Sequence, residues 1–83
     1  MKAPSKLLAD PNYDPNRLLD TVLATLDLRT DVALSRVLGV APPQLSKVRH
    51  RRLPVPAELV ILIHDATRLS IAEIRTLMGV PAP

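Results

Sequence analysis

Eighty-three residues with a formal charge of +3, of which 47% are hydrophobic and one alone (Tyr13) is aromatic, describe a single small domain with an aliphatic core. The chain has no cysteine, which excludes disulfides and thiolate metal sites, and no Phe or Trp to serve as a stacking platform for single-stranded nucleic acid. Its longest apolar run, Leu59 to Ile63, is too short to cross a bilayer, and Met1 to Lys6 lack the apolar centre of a signal peptide, so the expectation is a cytoplasmic protein away from membranes.

Residues 1–13, MKAPSKLLADPNY, hold two prolines and no period, and read as a flexible arm. The folded domain is expected over residues 14–79. Asp14 followed by Pro15 is a helix start, a carboxylate cap and then a proline where no N–H is needed. Leu18, Leu19, Val22, Leu23 and Leu26 follow at spacings of three and four, so a first helix buries one stripe and ends near Asp27. Thr30 is placed to cap a second helix, Asp31 to Leu38. Gly39 then stops it, because glycine enters the left-handed conformation without a Cβ clash.

Pro42 and Pro43 open a third helix that runs to about His50, with Leu45 and Val48 turned inward. Pro43, Ser46, Lys47 and His50 fall on its opposite face. Leu53-Pro54 closes the segment, since a residue before proline resists the helical region. Pro56 introduces a fourth helix whose core stripe is Leu59, Leu62, Ile63 and Ala66, with Val60 and Ile61 lying off it. Ser70-Ile71-Ala72-Glu73 has the form of a capping box, and Ile71, Ile74, Leu77 and Met78 give the fifth helix an apolar face that Gly79 ends. Residues 80–83 read as a tail.

Two short helices joined by about three residues make a helix-turn-helix. The charge falls on the same segment. From Val32 to Ala57 there is no acidic residue, and Arg36, Lys47, Arg49, Arg51 and Arg52 give it +5; the other six basic residues and all eight acids leave −2 elsewhere. A basic segment on a mildly acidic chain is the electrostatic footprint of a polyanion ligand.

Through Leu34, Ser35, Leu38, Gly39, Val40, Leu45 and Val48, residues Asp14 to Gly79 resemble the phage repressor-like (Cro and XRE type) DNA-binding domains. The resemblance implies an all-α, five-helix, lambda-repressor-like fold with its motif in the second and third helices. It also implies a transcriptional regulator that binds double-stranded DNA, with the third helix in the major groove. The family's base-reading positions then fall on Pro42, Pro43, Ser46 and Lys47, with Gln44 within reach of an adenine edge. Where the family often carries Gln or Ser this chain has Pro42 and Pro43, and His50-Arg51 stands where glycine often follows the reading helix. Phosphate contacts are expected from Thr30, Arg36, Arg49, His50, Arg51 and Arg52, which position a protein without specifying sequence. Regulators of this type bind two half-sites, so a homodimer is expected, with Val60, Ile61, Ile74, Leu77 and Met78 as candidates for its surface.

No enzyme is expected. The carboxylates serve as caps or solvated faces, the two glycines sit at helix ends rather than in a phosphate loop, and His64-Asp65 stands without the further ligands a metal site requires, so neither cofactor nor metal is expected. The alternative function is a protein-interaction module, an antitoxin or adaptor that keeps the helix-turn-helix but turns its surplus apolar residues on a protein partner.

Overall fold

The structure, a computed structural model, describes residues 6–79. The regular structure among those residues is all α-helical, with no strand. A single turn, α1 (Lys6–Ala9), precedes five longer helices: α2 (Pro15–Thr25), α3 (Asp31–Leu38), α4 (Pro42–Arg49), α5 (Ala57–Thr67) and α6 (Ile71–Met78). The boundaries follow from the chain's own punctuation. The Asp14 carboxylate accepts from the Arg17 amide at the start of α2, and the Thr30 hydroxyl accepts from the Ala33 amide at the start of α3. At α6 both halves of the Ser70–Glu73 capping box are formed. Gly39 and Gly79 end α3 and α6 at φ +72° and +80°.

The apolar stripes converge on one core. Leu18, Leu19 and Val22 of α2 meet Leu34 and Leu38 of α3, Leu45 and Val48 of α4, Leu59 and Ile63 of α5, and Ile74 and Met78 of α6, all 4% exposed or less. Each such aliphatic side chain removed from water contributes about 1.5–3 kcal/mol against the entropy of ordering the chain. α2 is the central strut, packed on α4, α5 and α6. Its N-terminal end also ties down the C-terminal end of α6. The Asp14 amide donates to the Met78 carbonyl (2.7 Å), and the Arg17 guanidinium donates to the carbonyls of Leu77 (2.9 Å) and Thr76 (2.6 Å), a cation at the negative end of the helix dipole.

Two expectations are corrected here. The arm expected over 1–13 does not extend that far, because Lys6–Ala9 forms a helical turn and Tyr13 is fully buried in the core. The Tyr13 hydroxyl accepts from the Val55 amide (3.1 Å), and its ring lies under the Arg51 guanidinium at 5.8 Å. Burial in the core raises the Tyr13 pKa above its ordinary value, opposed by the Val55 hydrogen bond and the Arg51 charge. Ile74 and Met78, expected as candidates for a dimer surface, are core residues instead, at 0% and 4% exposure. Residues 1–5 of the expected arm and the tail at 80–83 lie outside the described residues.

Candidate nucleic-acid interface

α3 and α4 are eight residues each and pack on one another across the three-residue connection Gly39–Ala41. Ser35, 2% exposed, lies buried in α3, and its hydroxyl donates to the Val32 carbonyl (2.7 Å). α4 has no side-chain cap; Pro42 and Pro43 fill the positions whose N–H groups would lack partners, and both are exposed.

What fixes α4 is Arg49 at its last turn. The Arg49 Nε and Nη2 donate to the two oxygens of Asp31 (2.5 and 2.9 Å), while Nη1 lies 3.0 Å from Asp20 and 2.9 Å from the Asn16 Oδ1. The Asn16 amide returns a hydrogen bond to the Arg49 carbonyl (3.1 Å). One side chain, only 20% exposed, thereby joins α4 to α2 and α3. The hydrogen bond that Arg49 donates to Asp31, more than any other influence, raises the Arg49 pKa further above its ordinary value.

This places Arg49 in the fold rather than on a ligand: its donors are taken by Asp31, Asp20 and Asn16, which corrects its expected role at phosphates. Arg51, by contrast, stays exposed, with one hydrogen bond into the fold. It adopts φ +61°, and its guanidinium donates to the Tyr13 carbonyl while covering that ring. Where a glycine would turn the chain without strain, Arg51 accepts the left-handed conformation and is held there by Tyr13. At Thr30 the hydroxyl is spent on the Ala33 amide and a carboxylate, Asp31, stands next to it, an arrangement that opposes a phosphate at that helix end.

The remaining polar candidates gather. Ser46, Lys47, His50 and Arg52 line one cleft of about 190 Å³ on the outer side of α4, and all four are exposed. The cleft holds no carboxylate. The His50 Nδ1 lies 2.8 Å from the Ser46 carbonyl and 3.3 Å from its hydroxyl. Because a carbonyl only accepts, Nδ1 carries the proton, and Nε2 is left for a ligand. Gln44 is half-buried beside this face, and Arg36 is exposed on α3. Lys47 and Arg52 supply charge, Ser46 a hydroxyl that donates or accepts, and Pro42 and Pro43 an apolar surface; together they suit a polyanion with an edge to read. Sequence reasoning placed Pro43, Ser46, Lys47 and His50 on one face but had no means of separating the cations there from Arg49, whose partners lie 18 or more residues away.

Of the expected dimer candidates, Val60 and Leu77 are half-buried and Ile61 is 54% exposed. Among the described residues no group of three His, Cys, Asp or Glu is placed to hold a metal, and no helix is long and apolar enough to cross a membrane. Comparison with protein-family models, with curated proteins and with solved structures gives no match.

Proposed function

We propose that this chain is a DNA-binding transcriptional regulator of the Cro/XRE type, acting in the cytoplasm, with a lambda-repressor-like helix-turn-helix in α3 and α4. The observation that carries the proposal is the acid-free cleft of Ser46, Lys47, His50 and Arg52 on the outer side of a helix that is rigidly held from behind by Arg49. α4 enters the major groove, Lys47 donates to guanine O6 and N7, and Ser46 pairs with a base edge. Pro42 and Pro43 offer a thymine methyl its only apolar contact, and Arg52, His50 and Arg36 reach phosphates.

The test is fluorescence anisotropy of the chain on a random duplex and on duplexes selected from its source genome, at two salt concentrations. Selected sites bound well above random DNA, with affinity falling steeply in salt, support the proposal. No binding to either duplex at low salt refutes it. One observation favours a second reading, an antitoxin or adaptor that binds a protein: two of the exposed positions expected to read bases are the prolines 42 and 43, which offer bases no hydrogen bond. A partner recovered by pull-down in the absence of any DNA affinity would select that reading.

A further inference from the structure

The histidine of the acid-free cleft is already bonded, and that bond decides what the ring can still do. His50 is the C-terminal cap of α4 and is exposed. Its backbone amide and its ring Nδ1 both reach the Ser46 carbonyl, at 3.0 and 2.8 Å. With Nδ1–H committed to that carbonyl, a neutral ring has only a lone pair to offer at Nε2. Phosphate oxygens are acceptors too, so a neutral His50 and a phosphate repel one another. Presenting Nδ1–H instead would give up the bond to Ser46. The contact therefore forms when Nε2 carries a proton of its own, and it is then a charge-assisted hydrogen bond.

The surroundings leave the counter-charge to the ligand. Ser46, Lys47 and Arg52 line the cleft with His50, and no carboxylate does. Asp31 and Asp20 are turned to Arg49. The end of α4 supplies only the partial negative charge of its dipole. An imidazolium in the cleft thus has no acid of the chain beside it, and a full opposite charge arrives only with a bound phosphate, which favours the charged ring. Lysine and arginine keep their charge at neutral pH, whereas an imidazole is the side chain that changes its charge between about pH 5 and 8. His64, the other histidine, stands apart: it is half-buried on α5, its Nδ1 lies 2.6 Å from the Leu69 carbonyl, and it is not a cleft residue.

We infer that His50 grips DNA phosphate as an imidazolium, so that each chain takes up a proton at Nε2 as it binds and its affinity is set by pH as well as by salt. The inference rests on the DNA reading and adds the proton to it as a co-ligand. Lys47 and Arg52 attract the polyanion in either state of the ring, and His50 tightens the hold as pH falls.

The test is fluorescence anisotropy of the full chain on a random duplex at low salt, at about pH 6 and about pH 8, on the parent, H50Q and H50R. Parent affinity should rise by about three- to tenfold from the higher pH to the lower, one proton being the most that a single site can couple to binding. H50Q, which stays neutral, should bind at both pH values as the parent does at the higher one. H50R, permanently charged, should bind at both as the parent does at the lower one. Any dependence left in H50Q belongs to His64 or the terminal amine and is subtracted. Calorimetry of the parent in two buffers of different ionisation enthalpy counts the proton directly and needs no variant to fold; it should show uptake on binding near neutral pH. Circular dichroism at both pH values checks that each variant is folded. A parent that binds with equal affinity at both pH values and takes up no proton overturns the inference while leaving the DNA reading standing. So does an H50Q that keeps the parent's full dependence. A parent that binds no duplex at either pH refutes the DNA reading, and the inference with it.

Discussion

Replacing Tyr13 by Phe removes one oxygen from the centre of the molecule and leaves its packing volume nearly unchanged. In the parent that oxygen accepts from the Val55 amide at 3.1 Å, and neither residue has appreciable exposure: Tyr13 is 0% and Val55 8% exposed. No water reaches the orphaned N–H, so its desolvation is uncompensated and the variant should lose about 1–3 kcal/mol. In a domain of this size each kcal/mol moves Tm by roughly 4–8 °C. Thermal unfolding followed by circular dichroism reads this directly, and hydrogen exchange at the Val55 amide should accelerate. The pH dependence supplies a second reading. Because burial raises the Tyr13 pKa, the folded state holds the phenolic proton more tightly than the unfolded chain does. The associated stability is complete below the unfolded value of about 10 and is lost as pH rises through the folded one. The parent should therefore lose stability in alkali faster than Tyr13→Phe, and the gap between them should narrow. A variant that melts within a degree or two of the parent at neutral pH, with unchanged exchange at Val55, would refute the assigned role.

Four further outcomes follow from the geometry. Lys47→Ala should lose roughly 1–3 kcal/mol of binding to a selected duplex and relax discrimination at one position, as titration of single-base variants would read; unchanged affinity and selectivity would remove Lys47 from the interface. With Arg49 paired internally, Arg36, Lys47, Arg51 and Arg52 remain as the exposed cations of the basic segment, so the slope of log affinity on log salt should be about −3 to −4 per bound chain rather than the steeper value five cations would give. Arg49→Met keeps the stem and removes the fork; Asp31 and Asp20 are partly solvated, so the loss should be about 1–3 kcal/mol, below that of a fully buried pair, and chemical denaturation would measure it. Gly39→Ala faces open space and should cost about 1–2 kcal/mol from its positive φ alone, whereas Gly79→Ala drives a Cβ into the Asn12 carbonyl and should cost at least about twice as much by the same assay.

The five longer helices were legible because their starts are marked in the sequence. Asp14-Pro15, Thr30, Pro42-Pro43 and the Ser70–Glu73 box act within a turn of their own residue, and local signals of this kind do not depend on the fold. Tyr13 was not legible. It stands alone after two prolines with no periodic neighbours, and its burial is created by the loop at Val55, which lies 42 residues away. The same distance in sequence hid the difference between Arg49 and Lys47. Both are cations near the end of one helix, and only the approach of Asp31, Asp20 and Asn16 from two other helices converts one into a structural bolt. Ile74 and Met78 were assigned outward because an eight-residue helix has too few turns to show how its apolar face divides between core and surface.

The bolt at Arg49 has a consequence for how this molecule can change over generations. α4 is held from its inner side and its C-terminal turn by Leu45, Val48 and Arg49, while Pro43, Ser46 and Lys47 are exposed on the outer side. Substitutions at those three positions are therefore nearly silent in stability, where surface changes usually stay within about 0.5 kcal/mol. Drift can sample many outer faces without unfolding the chain, and a lineage can acquire a new ligand preference in single steps, each of them viable.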